Sequence, residues 1–271
     1  MGALLETHGV SRRFGGLLAV DSVDIEVVEG EVHGLIGPNG AGKTTMLNLL
    51  SGHLPVSTGR IAFEGADITR LPAERRAAAG IRRTFQNLKL FREMSALENV
   101  MVGLHASSRA EIIHALLRTP FQKREEAEIA EKARAALAFV GLAHLADQPA
   151  GSLPYGHQRL LEIARAFVAK PRLLLLDEPA AGLNGGESRH LVDFIQRIRA
   201  AGTTIVLIEH HMDVVMPTCD RITVLNYGKL LARGTPAEIR ADSAVIGAYL
   251  GKGALAAAAA IRNAEAAHAP H

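Results

Sequence analysis

Three stretches of the chain are continuously apolar: VHGLI at 32–36, LLLL at 173–176 and TTIVLI at 203–208. Runs this short with no polar face suit strands buried on both sides of a parallel sheet. Elsewhere the period is two. Val23, Ile25 and Val27 alternate with Asp24 and Glu26, and RIAFEG at 60–65 closes on a glycine, so both predict half-exposed strands in a strand-rich N-terminal part. Helical spacing fills the intervals. Leu191, Phe194, Ile195 and Ile198 fall at i, i+3, i+4 and i+7, and Ile129, Ala133, Leu137 and Val140 do so approximately.

Strands alternating with helices predict an α/β core. Residues 88–167 carry helical patterns without a convincing buried strand, which predicts a helical subdomain inserted into that core. Residues 1–87 would then hold the β subdomain and the first part of the core, and 168–250 the rest. The tail 251–271 is alanine-rich with little large apolar surface to dock a helix, so a mobile appendage is expected.

Composition narrows the class. At 271 residues, 48% hydrophobic and 21% charged, the chain has the balance of a folded protein with one large domain or a core carrying an insertion. Thirty basic against 28 acidic residues supply no electrostatic case for nucleic-acid binding. Cys219 is the only cysteine, so an internal disulfide is impossible, a reducing compartment fits, and a small buried apolar role is expected for it. No run approaches the roughly 18 to 20 apolar residues of a membrane span. Residues 1–10 include Glu6 and lack the basic start of a secretion signal, while peripheral attachment stays open.

The strongest chemical signal is Gly37-Pro38-Asn39-Gly40-Ala41-Gly42-Lys43-Thr44-Thr45, placed between a buried strand and a helical stretch. It fits G-x-x-x-x-G-K-[ST]. Its glycines let the backbone curl so that N–H groups face phosphate oxygens, Lys43 reaches the outer phosphates and Thr44 can ligate Mg²⁺. This predicts a P-loop NTPase core, with kinases, GTPases, motors and transport ATPases still undistinguished. The run 173–178 then ends in Asp177 and Glu178, at the carboxyl edge where open α/β sheets bind ligands. Asp177 would hold Mg²⁺ directly or through water. Glu178 would act on an attacking water as general base or by orienting it.

Two further stretches carry a family resemblance. LPYGHQR at 153–159 opens a helix just before LLLLDEP, an arrangement that resembles the signature motif of ATP-binding cassette ATPases. RTFQN at 83–87, ENV at 98–100, LEIARA at 161–166 and DEPAAGLN at 177–184 resemble the ATP-binding subunits of branched-chain amino-acid importers, over residues 4–251. The extra segment 107–121 is similar to that of the longer of their two ATPase subunits. The resemblance implies an ABC-type fold: a RecA-like core, an N-terminal antiparallel β subdomain and an inserted helical subdomain.

It also implies site residues. Phe14 corresponds to the aromatic that stacks on adenine, and Gln86 to the glutamine that touches Mg²⁺ and the lytic water. Pro154, Tyr155, Gly156, His157 and Gln158 correspond to the signature that acts on the partner's ATP. Pro154 stands in place of a serine, Tyr155 of a glycine and His157 of a glutamine. Gly182, Leu183 and Asn184 fall on the dimer-contact loop, Asn184 in place of the usual aspartate. His210 falls on the switch histidine beside the γ-phosphate. His211, where aspartate is common, is expected to be a plain solvated residue. Neighbours at a strand end project to different sides, so the two histidines are not expected to share a metal. Leu88, Leu90, Phe91 and Met94 form either an apolar dock for a membrane subunit or internal packing.

The implied function is ATP hydrolysis driving import of branched-chain or related amino acids, with ATP and Mg²⁺ bound. Implied partners are a second ABC ATPase subunit, distinct or identical, two transmembrane permease subunits, and a periplasmic or extracellular substrate-binding protein. The implied location is peripheral, on the cytoplasmic face of the plasma membrane. Another cargo, such as an amide, urea or lipid, or a soluble non-transport cassette, is the alternative.

Overall fold

A computed structural model describes residues 2–86, 88–105 and 120–249. Asn87, most of the segment 107–121 and the alanine-rich tail lie outside the described residues. The three continuously apolar runs form β3 (Val32–Ile36), β7 (Leu173–Asp177) and β8 (Thr204–Ile208). They lie at the centre of a six-stranded sheet that also contains β6 (Ile81–Arg83), β9 (Arg221–Asn226) and β10 (Lys229–Gly234). The order is β10-β9-β3-β8-β7-β6, parallel except for β10 against β9.

The uniform hydrophobicity has a direct structural cause. Leu174, Leu176, Ile205 and Leu207 pack on one side of the sheet with the helices, while Leu173, Leu175, Val206 and Ile208 pack on the other with the N-terminal sheet. That second sheet is antiparallel and joins β1 (Ala3–Phe14), β2 (Leu17–Val28), β4 (Thr58–Phe63) and β5 (Ala66–Asp67) in the order β2-β1-β4-β5. In β2 the expected alternation holds: Val23, Ile25 and Val27 are buried and Asp24 and Glu26 exposed.

Between β6 and β7 every described helix or strand is helical: α3 (Ala96–His105), α4 (Pro120–Phe139), two short 3₁₀ turns and α5 (Tyr155–Phe167). Ala133, Leu137 and Val140 are buried as their spacing predicts. The remaining helices among the described residues are α1 (Lys43–Leu50), α2 (Ala73–Ala78), α6 (Gly185–Ala200), α7 (Met212–Thr218) and α8 (Pro236–Ala241). In α6, Leu191, Phe194, Ile195 and Ile198 make the buried face.

Cys219 is buried as expected, and burial pushes its thiol up to about 12. Gly34 makes room for it, since a Cβ there would lie 2.9 Å from Cys219 Sγ. Arg76 is the least expected core residue. It is 1% exposed and donates to the carbonyls of Leu49 and Leu50, which end α1, and to those of Thr69 and Leu71. Burial lowers its pKa to about 10, which still leaves the guanidinium charged at neutral pH. Arg76→Ala strands these buried carbonyls, and urea denaturation should show a stability loss of about 2–4 kcal/mol. An unchanged midpoint would remove Arg76 as the tie between α1 and the chain around α2.

Candidate nucleotide site

The loop between β3 and α1 needs glycine at its two ends. Gly37 has φ 151° and a Cβ there would lie 2.1 Å from the Leu225 carbonyl oxygen; Gly42 has φ 99° and a Cβ there would lie 2.5 Å from that of Ala19. Gly42 is also the N-cap of α1, so no side chain satisfies the first-turn N–H groups, and no acidic residue sits in that turn. Such a helix start favours an anion. Thr44 is exposed and Thr45 half-buried at this start, while Asn39 and Gly40 are exposed on the loop. Lys43 folds back over the loop, donating to the carbonyls of Gly37 at 2.7 Å and Pro38 at 3.0 Å. Burial lowers its pKa, while the negative charges of Glu178 and Asp177 oppose that shift.

Asp177 ends β7, 2% exposed, and Arg83 on β6 donates to its Oδ2 at 2.8 Å. The same guanidinium reaches Asn48 Oδ1 at 2.5 Å and Ser51 Oγ at 3.1 Å, tying β6 to α1 and its end. Burial pushes the Asp177 carboxyl up, opposed chiefly by Arg83. Glu178 takes up a left-handed conformation, φ 47°, which a non-glycine residue adopts at a cost and which turns it out of the strand. Gln86 donates to Glu178 Oε2 at 2.9 Å, and His210 Nδ1 lies 3.7 Å from Glu178 Oε1. The structure therefore brings Gln86, Glu178 and His210 together, next to Asp177 in sequence and close enough to Lys43 for charge to be felt.

The reading of the histidine pair is corrected. Their rings do not diverge but lie with centroids 4.1 Å apart. The reason is that β8 stops at Ile208 and the next residues curl around Glu209, whose side chain is fully buried. Glu209 Oε2 accepts from the backbone N–H groups of His210 and His211 at 3.1 and 3.4 Å, and Oε1 accepts from Ala180 N at 2.6 Å. His211 Nδ1 lies 3.0 Å from Glu209 Oε2, so it is a hydrogen-bonding partner and not a plain solvated residue. Glu209, His210 and His211 offer ligand atoms within 4.8 Å of one another. With both Glu209 oxygens already accepting from N–H groups, the chemistry is that of a brace between the chain after Glu178 and the histidine turn.

Pro154 caps α5 without a side-chain bond, as the missing serine hydroxyl requires. Gly156 faces α6, where a Cβ would lie 2.6 Å from Glu187 Oε1. His157 is half-buried, its Nδ1 without a partner among the described residues, and Gln158 donates to the Leu153 carbonyl at 2.7 Å. Asn184 caps α6, its Oδ1 accepting from Gly186 and Glu187 N–H while Asn184 N–H donates to Glu187 Oε2. That capping box needs no charge, which makes asparagine as good as aspartate within the chain. Leu183 packs against the core and Gly182 is exposed. Phe14 is 41% exposed with the Arg12 guanidinium 4.6 Å from its ring centroid, so it is not a core residue.

The segment 88–94 divides between its two readings: Leu90 packs against the core, whereas Phe91 is 51% exposed. Asn99, fully buried, shapes this loop by accepting from Phe91 N and donating to the Phe91 and Met94 carbonyls. Sequence reasoning did not find Arg83, Asn99, Arg159 or Glu209 as organisers of the site. Three of them lie inside quoted stretches, Arg83 in RTFQN, Asn99 in ENV and Arg159 in LPYGHQR, but only contacts remote in sequence reveal what these residues hold.

A glycine-cornered phosphate loop, paired carboxylates at a parallel strand end and a glutamine and histidine converging on the second carboxylate define a P-loop nucleotide-hydrolysing core. The sequence pattern of the ABC transporter family matches residues 20–181, and that of the branched-chain amino acid ATP-binding cassette transporters matches residues 229–254. The chain belongs to the ATP-binding cassette transporter family and is an ATPase of that type. The high-affinity branched-chain amino acid transport ATP-binding protein BraF of Pseudomonas aeruginosa is 46% identical over 250 residues, covering 92% of this chain and 98% of its own. The corresponding LivG of Escherichia coli has the same identity and coverage. A crystal structure of the ADP conformation of an ATP-binding cassette superposes with a TM-score of 0.82 at 34% identity, covering 93% of this chain and all of that one.

Proposed function

We propose that this chain is the ATP-hydrolysing subunit of an importer for branched-chain or closely related amino acids. The observation that carries the reading is the convergence of Gln86 and His210 on Glu178 beside a lysine-bearing phosphate loop. The cargo is supported by the likeness to BraF and LivG.

In this reading the N–H groups of residues 37–45 cradle the phosphates, Lys43 leaves the loop carbonyls to meet the outer phosphate oxygens, and Phe14 stacks on adenine. Thr44, Gln86 and Asp177 supply the oxygen donors that Mg²⁺ prefers, and the exposed Thr44 at the helix start fits that role. Mg²⁺, when bound, neutralises phosphate charge. Glu178 takes a proton from the attacking water as its oxygen bonds to the γ-phosphorus and the bond to the ADP oxygen breaks. His210 holds that water against the γ-phosphate.

Residues 154–158 act on the ATP of a second ATPase subunit, a distinct homologue or another copy, and Gly182, Leu183 and Asn184 contact it. We assign residues 1–87 to the β subdomain and first part of the core, 88–167 to the helical subdomain and 168–250 to the rest of the core. No helix among the described residues is long and apolar enough to cross a membrane. Transport is supplied by two permease subunits, docked near Phe91, with a substrate-binding protein outside and this chain on the cytoplasmic face. Affinity purification from solubilised membranes should recover two membrane-spanning subunits and a second ATPase position. Recovery of the chain alone, or with soluble partners only, would favour a non-transport cassette.

A further inference from the structure

Arg159 is 1% exposed and donates four hydrogen bonds, two within its own helix and two to the loop after β6. Nη1 meets the Phe85 carbonyl at 3.1 Å and Glu162 Oε2 at 3.0 Å; Nη2 meets the Gln86 carbonyl at 3.0 Å and the Tyr155 hydroxyl oxygen at 3.1 Å. Its guanidinium carbon lies 5.8 Å from the Tyr155 ring centroid. Glu162 and Arg165 continue the same helix face, Glu162 accepting from Lys89 N at 3.4 Å and Arg165 donating to the Lys89 carbonyl at 2.6 Å. The helix thus grips the backbone on both sides of the glutamine whose side chain holds Glu178.

The other end of this contact is the loop after Glu178. Gly182 has φ 79°, and a Cβ there would lie 3.0 Å from Tyr155 Cε1, so the tyrosine ring lies close over the glycine. A chain of direct contacts therefore runs Gly182, Tyr155, Arg159, Gln86, Glu178. Arg159 Nε is buried and has no partner among the described residues.

We propose that Tyr155 and Arg159 are positioning residues that tie the Gly182 loop, and with it the adjoining subunit, to the placement of Gln86 against Glu178. The proposal rests on the hydrolytic reading of the site given above. It assigns a purpose to the tyrosine that departs from the glycine of the common signature: its hydroxyl carries the link that a glycine lacks.

The test uses the co-purified transport complex. Arg159→Lys keeps a cation for Glu162 but cannot meet four acceptors, and Tyr155→Phe removes only the hydroxyl. Expected losses in kcat are about 10- to 100-fold for Arg159→Lys and about fivefold for Tyr155→Phe, with KM for ATP unchanged within about twofold. Tyr155→Phe should leave the melting temperature in place, which separates positioning from folding. In a Gln86→Ala background both losses should vanish, because the relay then has no glutamine to place. Losses that multiply in that background, a raised KM at constant kcat, or wild-type kcat in both variants would overturn the relay. A wild-type complex that hydrolyses no ATP would instead fail the reading of the site itself, and the relay with it.

Discussion

Glu178→Gln should lower steady-state ATP hydrolysis by about a hundredfold or more while ATP still binds and still closes the subunit pair. The side chain keeps its size and its hydrogen bond from Gln86 is replaced by an amide contact, so the fold and the phosphate loop are untouched. What disappears is the only feature the substitution removes, a carboxylate able to take a proton. Phosphate release under saturating ATP measures the first effect, and ATP-dependent dimerisation on a sizing column measures the second. Turnover at the wild-type rate would move the catalytic base elsewhere.

The second large effect separates two adjacent histidines. His210→Ala should cost about 10- to 100-fold in turnover, since its imidazole is the group beside Glu178 and has no substitute there. His211→Ala removes a hydrogen bond to Glu209 that the backbone N–H groups of residues 180, 210 and 211 still support. Its expected cost is about 1 kcal/mol of stability and less than about fivefold in rate. Steady-state assays on the two variants, run beside thermal melts, distinguish these outcomes, and equal losses would refute the division. The exposure of both rings is similar, so accessibility does not decide between them; the partner of each does.

Much of the core was legible because its signals are contiguous. Residues 32–36, 173–177 and 204–208 are uniformly apolar or nearly so, and each is a strand packed on both faces. The phosphate loop and the Asp177-Glu178 pair are equally local, since the glycines, the lysine and the carboxylates follow one another along the chain. β6 escaped notice for the opposite reason. It is three residues long and two are arginines, one of which turns its guanidinium inward to Asp177, 94 residues away, and to Asn48 and Ser51.

The same separation hides the organisers. Arg159 reaches Phe85 and Gln86 across 74 and 73 positions, and Glu209 reaches Ala180 across 29. An arginine or glutamate on a helix or strand end has a solvated surface as its ordinary fate, and periodicity cannot distinguish that from a buried hub. The histidine pair failed for a related reason. Strand alternation ends with β8 at Ile208, and the backbone turns around Glu209 immediately after it.

Hydrolysis at Glu178 is expected to drive amino-acid uptake. The most direct measurement is leucine accumulation in proteoliposomes holding the co-purified complex, supplied with its binding protein outside and ATP with Mg²⁺ inside. Accumulation is expected with the wild-type chain and ATP, and none with Glu178→Gln. Uptake that persists in that variant, or ATP hydrolysis with no uptake of any branched-chain amino acid, would contradict it.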